Sequence, residues 1–187
     1  FMKFHMTQID GFKVPTKFGG AIGECTAHVY VDPDINWNEV MDHFIVKYYN
    51  GLQRIRYTKQ TLPYGYWNRI WDWIKNMNLA ISDIQEDLWL MTLLGVFQQK
   101  AVGNGSSTMP QKVNPIELEQ AKGFIIKANC NLEPLYKINV TPLHRDLSDS
   151  TILRDIGLVF ANSLMAVEQM VAYLIKMDIE KNIKDMG

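Results

Sequence analysis

This sequence of 187 residues has little that would direct it to nucleic acid, a membrane surface or a structural metal. Its 19 basic and 20 acidic side chains leave a formal net charge of -1, so it has no bulk attraction to nucleic acid or anionic lipid. The two cysteines, Cys25 and Cys130, form no CxxC pair, and neither a disulfide framework nor a zinc site is indicated. We expect both to be small buried residues in a reducing compartment. An anionic ligand must then be held by a local cluster of polar and basic groups.

The sequence also lacks an uninterrupted membrane-spanning run and a targeting segment. Its most apolar stretch, residues 157–175, is interrupted by four polar side chains: Asn162, Ser163, Glu168 and Gln169. This pattern favours a core-facing helix over a membrane span. No signal or transit peptide opens the chain, so we expect a cytoplasmic protein with no membrane partner. The first residues have neither an initiator Met at position 1 nor a helix start, and the last residues stop abruptly after a helical pattern. We therefore expect the chain to be part of a longer protein.

Helical periodicity dominates from Trp37 onward. Residues 1–36 instead mix alternating apolar residues with glycine turns, which predicts a short irregular or β-hairpin-like piece. Three later stretches, from Ile70 to Met91, Leu118 to Leu135 and Ile152 to Leu174, repeat apolar residues at alternating spacings of three and four. Such a period over five turns or more predicts near-parallel helices that cross at roughly 20°. We therefore predict an all-α, long-helix bundle over residues 37–187. Apolar positions outside these stripes predict helices shared with partner subunits.

Residues 101–115 form a polar connection between the first two predicted helices, with two glycines and two prolines. Asn114 and Pro115 are predicted to begin the second helix, as N-cap and first helical residue. Five groups that suit an anion such as a carboxylate lie within nine residues: Ser106, Ser107, Thr108, Lys112 and Asn114. A polar connection that binds nothing is the alternative. A Walker phosphate loop is excluded because no Gly-Lys-Ser/Thr follows the glycines.

A second polar cluster lies in residues 144–154, at the predicted start of the third helix. Arg145, Ser150 and Arg154 supply two guanidiniums and a hydroxyl, and Ser150 and Arg154 are four residues apart on one helical face. This arrangement suits a phosphate group. The alternative is a solvated helix start capped by Asp149 or Ser148.

The segment GSSTMPQKVNP, residues 105–115, resembles the signature loop of the fumarase and aspartase superfamily, G-S-S-x-M-P-x-K-x-N-P, at every specified position. In that superfamily the loop closes over the dicarboxylate part of the substrate. The resemblance implies that Ser106 is the catalytic base and that four residues bind carboxylate: Ser107, Met109, Lys112 and Asn114. Removing a proton beside a carboxylate creates an enolate-like dianion, so cationic and hydrogen-bonding groups must already face it.

Three further segments resemble the bacterial-type adenylosuccinate lyase branch of this superfamily. Residues 145–154 resemble its R-D-L-T-D-S-T-x-L-R stretch, which implies phosphate contacts for Arg145, Ser150 and Arg154. Residues 57–60 resemble its T-x-Q segment, which implies a nucleotide contact for Gln60, and residues 20–28 resemble the G-A-V-G and N-A-H run before it. Glu119 lies thirteen residues after Ser106, where the superfamily has a carboxylate that orients its catalytic histidine. A first-turn carboxylate that only complements the helix dipole is the alternative.

The resemblance covers about residues 17–176 and implies elimination of fumarate from adenylosuccinate, giving AMP. It also implies the same reaction on the succinyl-aminoimidazole carboxamide ribotide of purine synthesis, without metal or organic cofactor, in a homotetramer with shared active sites. The family's T-H-G-Q-P-A, T-S, R-Y and R-H-D segments do not occur in these residues, so we expect the general-acid histidine to lie outside this chain. Gln120 stands where some branches carry arginine. Another superfamily lyase, such as argininosuccinate lyase, and an inactive helical scaffold are the alternatives.

Overall fold

The computed structural model describes residues 2–99, 114–138 and 146–178, and these residues are mostly helical. Their α-helices are α1 (Met2–Thr7), α2 (Thr26–Val31), α3 (Trp37–Tyr48), α4 (Asn68–Leu93), α5 (Ile116–Lys137), α6 (Ser148–Leu153) and α7 (Ile156–Lys176). Short strands are β1 (Val14–Thr16), β2 (Leu52–Arg54), β3 (Gln98–Gln99) and β4 (Met177–Asp178), and a 3-10 turn spans Tyr64–Trp67. The predicted all-α fold class is confirmed.

The chain divides into two compact units. The first, here called the helical unit, contains Phe1–Lys3, Ile74–Leu132 and Asp155–Gly187. The second, the mixed unit, contains Phe4–Trp73 and Glu133–Arg154. Helix α3 begins at Trp37, and the division of the chain at that residue stays a prediction.

The core of the helical unit forms where α4, α5 and α7 pack together. Its buried residues are Ile81 and Leu88 from α4, Leu118, Ala121 and Ile125 from α5, and Ala166, Met170 and Tyr173 from α7. The predicted α5 stripe is buried throughout, from Leu118 to Leu135. Ala121 and Ala166 are both 0% exposed, and such small side chains allow helix axes to approach closely. Cys130 lies on the outer side of α5 and is exposed, so the prediction that both cysteines are buried is wrong for Cys130.

The third predicted helix is not continuous. Helix α6 ends at Leu153 and α7 begins at Ile156, with a turn between them in which Asp155 adopts φ -90° and ψ 0°. This region of backbone space is typical of turns, and aspartate favours turns over helix interiors. Within α7 the predicted positions Val159, Ala166 and Met170 are buried, but the buried stripe ends on Tyr173, and the predicted Leu174 is 44% exposed.

Helix α7 buries only part of its apolar surface. Val159, Ala166, Met170 and Tyr173 face the core, as predicted for a core-facing helix. Eight other apolar side chains of α7 are exposed: Leu158, Phe160, Leu164, Met165, Val167, Val171, Leu174 and Ile175. Judged by length and composition alone, the described stretch Ser148–Lys176 is also apolar enough to cross a bilayer. Core helices that pack on more than one side have the same composition.

The first 36 residues contain helix α1, helix α2 and strand β1. Strand β1 pairs with β2 in parallel, with Val14 opposite Leu52 and Thr16 opposite Arg54. The extended piece is therefore not a hairpin, because its partner strand follows α3 instead of a tight turn. Helix α3 begins after Asn36, whose side-chain oxygen accepts a hydrogen bond from the Glu39 amide.

The mixed unit is organised around the guanidinium of Arg54, whose side chain is 1% exposed. Its Nε donates to the Phe18 carbonyl at 2.6 Å, and its Nη2 donates to the Gly23 carbonyl and to Asn38 Oδ1, both at 3.0 Å. Its Nη1 donates to Asp42 Oδ1 at 3.1 Å. One buried cation therefore joins the loop before α2 to helix α3 and to the end of β2.

The loop that Arg54 holds needs glycine at two places. Gly19 has φ +120°, and a Cβ there would lie 2.7 Å from Cys25 Sγ. Gly23 has φ +82°, and a Cβ there would lie 2.5 Å from the Arg56 carbonyl oxygen. Cys25 itself adopts φ 57°, which is costly for a residue with a side chain. The carbonyls that converge on Arg54 compensate for this cost.

We predict that Arg54→Met lowers the free energy of unfolding by about 3–5 kcal/mol, because buried acceptors lose their donor. Arg56→Met is the matched control, since Arg56 also binds Asp42 but its side chain is 54% exposed. For that surface pair we expect a much smaller loss, because water and salt screen exposed ion pairs. Urea unfolding of both variants measures the difference. Equal losses would contradict the organising role of Arg54.

Candidate functional site

The predicted site residues fall into three groups. Ser106, Ser107, Met109, Lys112 and Arg145 lie outside the described residues, and their roles stay predictions. Asn114 and Glu119 are in the helical unit. Gln60, Ser150 and Arg154 are in the mixed unit.

Helix α5 begins one residue later than predicted. The carbonyl of Pro115 accepts hydrogen bonds from the amides of Leu118 at 3.0 Å and Glu119 at 3.2 Å. Pro115 thus has the N-cap position that was predicted for Asn114, and the helix starts at Ile116. Proline suits this position because helix starts leave backbone N–H groups without partners. Pro115 is buried and Asn114 is half-buried, so the start of α5 is fixed next to the segment 105–113.

The end of α7 contacts described residues on both sides of segment 101–113. Glu117 accepts a hydrogen bond from Lys176 Nζ and forms an ion pair with it. On the other side, β3 pairs antiparallel with β4, with Gln98 opposite Asp178 and Gln99 opposite Met177. The first turn of α5 and strand β3 are therefore both attached to the same end of α7.

Glu117 and Glu119 have different environments although they share one helical turn. The Glu117 side chain is 14% exposed and bound to Lys176, whereas Glu119 is exposed to solvent. An exposed carboxylate at this place is free to approach a histidine brought by another segment. Glu117 is thus bound to Lys176, and the predicted histidine-orienting role of Glu119 stays a prediction.

The start of α6 is held by a buried carboxylate. Asp149 is 8% exposed, and its Oδ2 accepts a hydrogen bond from the Tyr64 hydroxyl at 2.5 Å. Its Oδ1 accepts from the backbone amide of Ser150 at 2.6 Å. Nearby, Asp146 Oδ1 accepts from the Ser148 amide at 2.9 Å. The helix start is therefore not a solvated one capped by Asp149, because that carboxylate is buried against Tyr64.

Ser150 and Arg154 keep the predicted relation of one helical turn. Arg154 follows the last residue of α6, and its φ of -64° and ψ of -27° continue the helical geometry. Its side chain is exposed and has no ion-pair partner among the residues that the structure describes. A half-buried hydroxyl and an exposed guanidinium one turn apart can bind one phosphate group.

Gln60 is held through its main chain while its side chain is exposed. The Nζ of Lys17 donates to the Gln60 carbonyl at 2.5 Å and to the Ala21 carbonyl at 2.6 Å. Lys17 thereby joins the Gln60 segment to the glycine loop that Arg54 organises. Sequence reasoning assigned no role to Lys17, and a surface lysine with no motif around it offers no signal for one.

A groove of about 740 Å³ lies beside the glycine loop. It is lined by Gly19, Gly20, Ala21, Ile22, Glu24, Thr26, Ala27, His28, Tyr30 and Val31. The His28 ring lies 5.1 Å from the Trp37 ring. None of the described site residues lines this groove. Its lining is mostly apolar, and it does not suit a phosphate or a carboxylate.

Comparison with known proteins gives consistent matches along the chain. A family model described as "Lyase" matches residues 17–128. The adenylosuccinate lyase of Dictyostelium discoideum is 38% identical over 175 residues, which are 91% of this chain and 38% of that protein. Those of Legionella pneumophila (strain Corby) and Escherichia coli (strain K12) are 34% and 31% identical over 184 residues, 97% of this chain and 40% of each relative.

The chain thus spans about 40% of the length of curated relatives that it matches. The predicted resemblance is confirmed by these matches. Because the family match covers more than half of its residues, this chain belongs to the lyase family.

Proposed function

We propose that the protein containing this chain eliminates fumarate from adenylosuccinate to give AMP. The same site would act on the succinyl-aminoimidazole carboxamide ribotide of purine synthesis. The observation that carries this proposal is that Ser150 and the exposed Arg154 lie one helical turn apart, and that Arg154 has no ion-pair partner among the described residues. A nucleotide substrate needs a phosphate site of this kind, whereas the substrates of fumarase and aspartase have no phosphate. The names of the relatives support the same substrate. We expect the enzyme to act in the cytoplasm.

The reaction divides between groups on this chain and one group outside it. Ser106, as its alkoxide, removes a proton from one carbon of the succinyl group. That carbon is bonded to a carboxylate, which acidifies the proton, and its neighbouring carbon carries the leaving nitrogen. The electron pair forms the fumarate double bond, and the carbon–nitrogen bond breaks. A histidine outside this chain, oriented by Glu119, protonates the leaving nitrogen. Lys112 and Asn114 stabilise the dianionic carboxylate that develops after the proton is removed and before the carbon–nitrogen bond breaks.

The direct test is fumarate release by the purified enzyme, with adenylosuccinate and argininosuccinate offered separately. Turnover of adenylosuccinate alone supports the proposal. Turnover of argininosuccinate instead would assign the chain to that neighbouring lyase, and no turnover of either would indicate a helical scaffold without activity.

Replacing Ser106 by alanine should lower kcat by about three orders of magnitude or more, because the chemical step loses its base. Affinity for AMP should stay close to that of the wild type, since a single hydroxyl contributes little to binding or folding. A stopped assay of fumarate and an AMP titration on the same preparation measure both quantities. Retention of more than about a tenth of wild-type turnover would assign the base to another residue.

Replacing Arg154 by alanine should weaken AMP binding by about 1.5–3 kcal/mol, the usual worth of a hydrogen bond to a charged group. The free energy of unfolding should hardly change because the side chain is exposed. Arg69→Ala serves as the control, since Arg69 is an exposed arginine of the same unit that binds the Gln8 carbonyl and lies over the Phe12 ring. Equal AMP affinity in wild type and Arg154→Ala would remove the phosphate site from the proposal.

We further propose that the enzyme is a homo-oligomer, as the predicted tetramer with shared active sites requires. The eight exposed apolar side chains of α7 support this, because a large exposed apolar surface usually packs against a partner. The 187 residues alone should self-associate and release no fumarate, since they span about 40% of the relatives. Introducing Leu164→Glu together with Val171→Glu, at side chains 58% and 48% exposed, should reduce the association. Light scattering with a fumarate assay measures both, and a monomer with turnover would contradict this architecture.

A further inference from the structure

A hydrogen bond joins two segments of the mixed unit that carry predicted site residues. Gln60 lies four residues before Tyr64, which begins the 3-10 turn. Asp149 directly precedes Ser150 near the start of α6. The hydrogen bond from Tyr64 to Asp149 therefore connects the segment with the predicted nucleotide contact to the segment with the predicted phosphate contacts.

The geometry of this contact leaves the two segments little freedom. Tyr64 Oη lies 2.5 Å from Asp149 Oδ2, a distance typical of a charge-assisted hydrogen bond. The other oxygen of the same carboxylate, at 2.6 Å, accepts the amide hydrogen of Ser150. Because Asp149 is 8% exposed, its carboxylate relies on hydrogen bonds of this kind in place of bulk water.

The Gln60 end of this connection is fixed as well. Lys17 Nζ holds the Gln60 carbonyl at 2.5 Å, and Pro63 precedes Tyr64 with a φ of -58°. Proline also restricts the backbone directly before Tyr64. The Tyr64–Asp149 bond and the Lys17 contact therefore both limit how far the Gln60 and Ser150 segments can move relative to each other.

We propose that Tyr64 and Asp149 are positioning residues that hold the predicted nucleotide contact, Gln60, at a fixed distance from the predicted phosphate contacts, Ser150 and Arg154. The pair then matches the site to the length of a nucleoside monophosphate. This inference rests on the proposed function, and it adds two residues that touch no substrate atom. Its consequence is that removing the Tyr64 hydroxyl weakens nucleotide binding although the hydroxyl does not contact the nucleotide.

The chain offers a matched control for this test. Tyr136 Oη donates to Asp72 Oδ1 at 2.7 Å, also within the mixed unit. Burial, together with the hydrogen bond to Asp72, raises the pKa of Tyr136 well above its ordinary value, so its hydroxyl stays a donor at neutral pH. Tyr136→Phe removes the same kind of tyrosine–aspartate bond from helices that carry no nucleotide contact.

The experiment compares Tyr64→Phe and Tyr136→Phe in the full-length enzyme. Tyr64→Phe should weaken AMP binding and raise KM for adenylosuccinate, each about tenfold, with kcat within about threefold of the wild type. Tyr136→Phe should leave all three within about twofold, whatever it does to thermal stability. Equal nucleotide affinity in the two variants would show that the Tyr64 bond has only a structural role.

A double variant tests the route by which Tyr64 acts. If Tyr64 positions Ser150, then Tyr64→Phe should weaken AMP binding by no more than about threefold in a Ser150→Ala background. Full additivity of the two changes would overturn the inference. A wild-type enzyme that binds AMP without turning over adenylosuccinate would overturn the proposed reaction, and the affinities would still decide the positioning role. A wild type that binds no AMP would overturn both.

Discussion

The buried guanidinium of Arg54 is the constraint on which the mixed unit depends. A guanidinium in a dry environment must have all its donors occupied, and here main-chain carbonyls, an amide and a carboxylate occupy them. Burial of Asp42 by itself raises the pKa of that carboxyl, but the hydrogen bonds from Arg56 and Arg54 outweigh it and hold the pKa below its usual value. The residue with the left-handed backbone, Cys25, contacts the same cation through its Sγ, 3.5 Å from Arg54 Nη2. Since Arg54 ends β2, the chain leaves this point in a fixed direction toward Gln60.

The helices were predictable because their signal is local. Apolar residues spaced three or four apart, as in α5, indicate which side of the helix packs against its neighbours. Every predicted position of this stripe, from Leu118 to Leu135, is buried. The third stretch was less predictable, because a single aspartate at position 155 interrupts the helix without disturbing the apolar spacing around it. Cys130 shows the same limit, since its residue type favours burial whereas its position on α5 decides its exposure.

Candidate site residues could be predicted only where the residues that act together lie close to each other in the sequence. Ser150 and Arg154 come from one segment, and helical geometry alone makes them neighbours. Tyr64 and Asp149 are 85 positions apart, so only the fold brings them together. Neither residue type is unusual in its own segment. Contacts of this kind have no sequence signature, although they determine how the predicted site residues are positioned.

The two units are stabilised by different forces, and this difference has a functional consequence. The helical unit relies on apolar contacts between α4, α5 and α7 and leaves much of α7 exposed, so its surface is suited to packing against further helices. Apolar packing is non-directional and tolerates small shifts. The mixed unit relies on directional bonds around Arg54, Lys17 and Asp149, which weaken steeply when donor and acceptor move out of line. The proposed nucleotide contacts Gln60, Ser150 and Arg154 lie on this second kind of framework, in which satisfied polar networks hold side chains in defined positions.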